Sequence, residues 1–123
     1  MPTMFMAAAL APSLQDAPVP AAISLVLENG VLKFRDDNGF SLYVFERDPP
    51  GRSTCVDQCA RDWPPVPAPQ DAHQLGDWTP IRRSDGTLQW AYKGKPVYTF
   101  SGDTAAGQVN GAGAQGLWRL IVP

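Results

Sequence analysis

Seven side chains in the sequence could carry chemistry. Tyr43, Asp48, Tyr98 and Asp103 form two Tyr-x4-Asp spacings, Cys55 and Cys59 form a Cys-x3-Cys pair, and His73 is the one histidine. Two aspartates brought together could bind a cation or shift each other's pKa. A thiol pair could form a disulfide, act as a redox dithiol or, completed by His73, hold copper. Each chemistry has a plainer competitor. Five residues of extended strand span about 16 Å and point their end side chains to opposite faces, so Tyr-x4-Asp is no local dyad unless the chain turns. Pro49-Pro50 after Asp48 and Gly102 before Asp103 mark such turns. There a carboxylate accepts hydrogen bonds from turn amides. The expectation is that both aspartates close turns and that no catalytic residue is present.

The cysteines follow Ser53-Thr54, with Asp57 three residues after Thr54. That pattern predicts an N-cap and capping box opening a short helix to about Trp63. Thiols at helical i and i+4 have Cα atoms about 6 Å apart, inside the range a disulfide permits. Closing so small a loop contributes only about 2 kcal/mol in the chain-entropy account. Redox dithiols more often show Cys-x2-Cys in a βαβ setting, which this chain lacks. His73 falls in Pro64–Trp78, rich in Pro, Ala and Gln, where a solvated loop histidine is expected. A structural disulfide without metal or cofactor is therefore the reading, with copper at Cys55, Cys59 and His73 as the alternative.

The elements that hold these residues come from an internal repeat. An offset of 55 aligns Gly39 with Gly94, Tyr43 with Tyr98, Phe45 with Phe100, Asp48 with Asp103 and Trp63 with Trp118. An offset of 56 aligns the preceding segment, Gly30 with Gly86, Leu32 with Leu88 and Phe34 with Trp90, and puts a one-residue insertion at Asp36-Asp37-Asn38. Each copy reads as a turn (Asn29-Gly30, Asp85-Gly86), a strand, a second turn (Asn38-Gly39, Lys93-Gly94) and a strand with the Tyr-x-Phe pair. The copies span about 29–66 and 85–122. Units of roughly 40 residues are marginal alone, so they should bury their apolar faces against each other. Gly39–Glu46 is apolar at both parities, which predicts a central strand with Tyr43 and Phe45 on one face and Leu42 and Val44 on the other. Ala22–Glu28 and Leu117–Val122 are the expected edges. Trp63 and Trp118 recur at one position and are expected in the core, whereas Trp78, Trp90 and Tyr92 could form an exposed aromatic surface for a glycan or protein.

Leu42–Asp48 and Val97–Asp103, together with Cys55-x3-Cys59, Trp63-Pro64-Pro65, Asp85-Gly86 and Gly116-Leu117-Trp118, resemble the secreted-repeat lipoproteins of unknown function. That family is defined by tandem Tyr-x-(aromatic)-x-x-Asp repeats, and the likeness covers roughly residues 22–122. It implies an exported bacterial protein. This chain departs from the lipoprotein members in lacking an acylatable N-terminal cysteine.

Composition agrees with a small β protein. The 123 residues include 13 prolines and 11 glycines, which interrupt the apolar runs too often for long helices. The 12 acidic and 10 basic residues are interspersed, leaving no basic footprint for nucleic acid. Met4–Ala11 is apolar and ends in Ala-Leu-Ala, like the end of a signal peptide, and no later run is long enough to span a membrane. The expected fold is mainly β, one pseudo-symmetric domain over 22–123 built from two hairpin or meander repeats, with a short helix near Cys55–Trp63. Residues 1–21 are expected to be a signal-like or disordered segment. The expected function is a non-enzymatic binding or structural module, periplasmic or extracellular, whose partner is a cell-envelope protein or glycan. A periplasmic thiol-redox or copper-handling protein is the alternative.

Overall fold

The computed structural model describes residues 17–123, so the run Met4–Ala11 lies outside the described residues. Apolar residues alternate along Ile23–Glu28 (β1) and Val31–Asp36 (β2), and Asn29-Gly30 joins them with positive φ at both positions, 51° and 79°. This is the geometry that a two-residue hairpin requires. The two strands pair antiparallel from Ile23↔Asp36 to Glu28↔Val31 and form a ribbon of their own. The sequence predicts Ala22–Glu28 as an edge of the main sheet; instead it pairs with β2 alone, because the Asn29-Gly30 turn folds the two into their own hairpin. A single bridge, Arg35 with Ser41, links the ribbon toward that sheet through the main chain, and side chains of the ribbon pack on the sheet's face.

The main sheet is antiparallel with five strands: Tyr43–Phe45 (β3), Trp78–Arg82 (β4), Leu88–Tyr92 (β5), Lys95–Tyr98 (β6) and Trp118–Leu120 (β7), in the order β4-β5-β6-β3-β7. One short helix, Gln58–Asp62 (α1), completes a mainly β fold with a 3-10 turn at Ala114–Gly116. No helix among the described residues is long and apolar enough to cross a membrane. β3 is interior and β7 is an edge. β4 is the other edge, which tolerates Pro80 because one side of an edge strand need not donate.

The repeat is visible in the hydrogen bonding as an approximate two-fold. The offsets of 55 and 56 carry the β1–β2 pair Ile23↔Asp36 onto the β4–β5 pair Trp78↔Tyr92. β4 is therefore the counterpart of β1, although Ile-Ser-Leu-Val-Leu and Trp-Thr-Pro-Ile-Arg share no residues. At the axis Tyr43 of β3 lies directly opposite Tyr98 of β6. Main-chain bonds repeat in matched pairs on either side: Glu46 to Leu117 (2.8 Å) with Ser101 to Asp62 (2.9 Å), and Ile121 to Leu42 (3.0 Å) with Val66 to Val97 (2.9 Å). The one-residue insertion changes the second turn. Lys93-Gly94 closes β5–β6 with two residues at φ 49° and 83°, whereas Asp37-Asn38-Gly39 closes β2 onto Phe40 with three, its carboxylate partner Asp36 accepting from the amides of Asn38 and Phe40.

The two faces of β3 and β6 carry separate cores. Leu42, Val44 and Val97 face a cluster with Phe34, Trp78, Trp90 and Tyr92. Phe34 meets Trp78 and Tyr92 edge-on at 5.0 and 4.9 Å. Trp78, Trp90 and Tyr92 are therefore not the exposed aromatic surface that the sequence suggested. They are 1%, 5% and 3% exposed, since the ribbon folds Phe34 over them. Tyr43 and Tyr98 face the opposite cluster, with Cys55, Trp63 and Trp118.

Candidate functional site

Tyr43 and Tyr98 stand side by side on one face, and each reaches the aspartate of the other copy. Tyr43 Oη donates to Asp103 Oδ2 at 2.7 Å, and Tyr98 Oη donates to Asp48 Oδ2 at 2.6 Å. The Tyr-x4-Asp motif is thus two bonds exchanged between repeats. The second oxygen of each carboxylate holds the loop that follows it. Asp48 Oδ1 accepts from the amide and hydroxyl of Thr54 (2.8 and 2.7 Å), and Asp103 Oδ1 accepts from the amide of Asn110 (2.9 Å). The acceptors reach past the expected turns to residues six and seven positions on, and the two carboxylates are engaged by different donors.

Burial pushes both phenols well above their ordinary value of 10.0, and the bonds to Asp103 and Asp48 push them further in the same direction. A buried phenol facing a carboxylate gains nothing by ionising. The phenols stay protonated as donors.

The two copies differ in what completes the pair. The Gly111 amide donates to Tyr43 Oη at 3.2 Å. On the other side Ser53 Oγ lies 2.6 Å from Tyr98 Oη and receives Arg83 Nη1 at 2.7 Å. Because Tyr98 gives its proton to Asp48, the Ser53 hydroxyl must donate to Tyr98. A directed chain therefore runs from the Arg83 cation through Ser53 and Tyr98 to the Asp48 anion. Arg83 is only 6% exposed, and its other bonds go to Gln89 Oε1 (2.9 Å) and the Cys55 carbonyl (2.7 Å). Gln89, fully buried, donates in turn to the Val97 carbonyl. Ser53, Arg83 and Gln89 carry no motif or repeat signal in the sequence that marks them as functional groups. The available signal was Gln89, a polar residue inside a strand covered on both faces.

Trp63 and Trp118 stack in parallel at 3.9 Å across the two-fold. Phe100 extends the stack beyond Trp63 at 4.2 Å and Phe45 beyond Trp118 at 4.4 Å. Tyr43 and Tyr98 meet the two indoles edge-on at 5.3 and 5.1 Å, an arrangement that the ring quadrupoles favour. Gly111 is required beside this stack, because a Cβ there would come within 2.6 Å of Trp63.

Cys55 and Cys59 form a disulfide with Cα atoms 5.2 Å apart. The capping box does not form. Cys55 lies before α1, the helix starts after Asp57 at φ 55° without a side-chain cap, and the Thr54 hydroxyl is taken by Asp48. The loop is tied down instead from outside, through Asp48 at Thr54 and Arg83 at the Cys55 carbonyl. His73 is exposed, and no group of three or more His, Cys, Asp or Glu among the described residues could hold a metal ion.

No curated relative and no solved structure matches the chain. A family described as a secreted repeat of unknown function matches it over residues 33–67 and 79–121. These stretches hold most of β2 with β3 and α1 of one copy, and most of β4 with β5–β7 of the other, and both include the residues that exchange the Tyr–Asp bonds. With more than half of its length covered, the chain belongs to this family of secreted repeats.

Proposed function

We propose that the protein is a non-enzymatic module of the bacterial cell envelope, periplasmic or extracellular, that serves a binding or structural role for a protein partner. One observation carries this reading: Tyr43, Asp48, Tyr98 and Asp103 spend their hydrogen-bonding capacity on one another and on adjacent loops, leaving no free acid, base or nucleophile among them. The Cys55–Cys59 bridge suits an oxidising compartment and acts as a staple for the Asp48–Trp63 loop. Burial of Trp78, Trp90 and Tyr92 takes away the aromatic platform a glycan would use, which favours a protein over a glycan as the partner.

Intact mass with and without reductant, with metal analysis of protein from its native compartment, tests the reading. A disulfide that persists in a glutathione buffer and metal-free protein are expected. A readily reduced pair or stoichiometric copper would establish thiol-redox or copper handling at Cys55 and Cys59 in its place.

A further inference from the structure

The near two-fold also fails at the edge of the second strand of each copy. Beside the second copy, the chain that follows Pro65 pairs with β6 at Val66 and crosses to β5. Trp90 donates to the Val66 carbonyl (2.9 Å), and the Ala68 amide donates to the Leu88 carbonyl (3.0 Å), so this extended Pro-Val-Pro-Ala-Pro segment covers the β5 edge. The same offsets place Ile121 at the position of Val66 and Pro123 at that of Ala68, and set Leu32 and Phe34 of β2 in place of Leu88 and Trp90. Pro123 has no N–H to give to Leu32. Among the described residues no main-chain bond joins the run after Ile121 to β2.

The β2 edge is consequently open at Leu32 and the Phe34 amide, while the Arg35–Ser41 bridge and the Asp36–Phe40 bond close its far end. In a two-residue hairpin the pair flanking the turn, Glu28 and Val31, bonds inward, so the amides and carbonyls of Leu32 and Phe34 point away from β1. Asp36, next in that alternation, donates outward to Phe40, as this parity requires. Alongside the edge lies a groove of about 200 Å³ with a largely apolar lining, floored by Phe34, Leu42 and Ile121. Its rim is formed by Val31, Val109 and Val122, which are 54%, 45% and 72% exposed.

We infer that this groove is a strand-docking site, where an extended apolar segment of a partner protein, tolerant of proline at alternate positions, pairs with Leu32 and Phe34. The second copy specifies the occupant's chemistry, because there the equivalent edge already holds such a segment from this chain itself. Main-chain bonds to an open edge supply affinity, and alternate side chains entering the groove supply selectivity. The inference rests on reading the protein as a binding module and gives that module its surface and ligand class.

The test uses the isotope-labelled full chain and a capped synthetic peptide, Pro-Pro-Val-Pro-Ala-Pro-Gln, copying residues 64–70. Binding should slow hydrogen exchange at the Phe34 amide at least tenfold. Val31→Lys and Val109→Asp, both on exposed rim positions, should each raise Kd at least tenfold, while Val56→Asp on the disulfide loop should leave it unchanged. A Phe34 amide already protected in the free protein, absence of peptide binding, or protection that grows with protein concentration alone would overturn the inference. Peptide shifts on another surface would overturn the groove yet leave the binding module standing, whereas stoichiometric copper would remove the module itself.

Discussion

The exchanged Tyr–Asp bonds define what each motif residue contributes. A hydrogen bond to a charged acceptor contributes about 1.5–3 kcal/mol, so Tyr43→Phe and Tyr98→Phe should each cost about 2 kcal/mol in urea unfolding. The same bonds set an alkaline limit. Below pH 10 both phenols are protonated whether the chain is folded or not, and their contribution to stability is complete. As pH rises past 10 the unfolded chain releases protons that the fold retains, so stability falls. Tyrosinate absorbance of Tyr43 and Tyr98 should therefore appear only together with loss of the near-ultraviolet circular dichroism. The sequence marked all four motif residues, through their recurrence, but not their partners. Spacing along one strand measures distance within a copy, and these bonds run between copies. Arg83 and Ser53 were hidden for a related reason, since neither has a chemical equivalent in the other repeat.

At the level of elements, the disulfide loop behaves as a clamp whose strength lies outside the helix it borders. Reduction of Cys55–Cys59 should lower stability by about 2 kcal/mol, measured by unfolding with and without reductant, and the fold should survive because Asp48 and Arg83 still hold Thr54 and Cys55. The three-residue turn after β2 is a second sensitive point. Gly39 has φ +87°, and a Cβ there would sit 2.9 Å from the Ala106 Cβ. Gly39→Ala should cost at least about 1 kcal/mol from the backbone alone, and Ala106→Gly should recover only the steric share. The turns at Asn29-Gly30 and Lys93-Gly94 and the central place of β3 were readable, because glycine punctuation and two-sided apolarity are local signals. The capping box was misread. Its residues suit a helix start, but Asp48, brought alongside by Pro49-Pro50, competes for the Thr54 hydroxyl and wins. β4 escaped the repeat because its kinship with β1 is kept in pairing register rather than in residue type.

In the whole molecule, neither copy has a complete core. β3 of one copy is flanked by β6 and β7 of the other, and the ring stack alternates its contributors as Phe45, Trp118, Trp63 and Phe100. Fragments 17–72 and 73–123 should accordingly lack cooperative unfolding when separate and regain it when mixed. Calorimetry of each piece and of the mixture would show this, and a cooperative transition in either fragment alone would contradict it. The near two-fold also has a historical meaning. A chain carrying a single repeat would present Tyr and Asp in positions to satisfy those of an identical chain, with its tryptophan stacked on its twin. Such a repeat is self-complementary, so a second copy of itself would complete its core. Gene duplication then needs to supply only the connection from Val66 to Trp78 to turn that pair into one polypeptide, after which each half is free to diverge, one closing its edge strand and the other leaving it open.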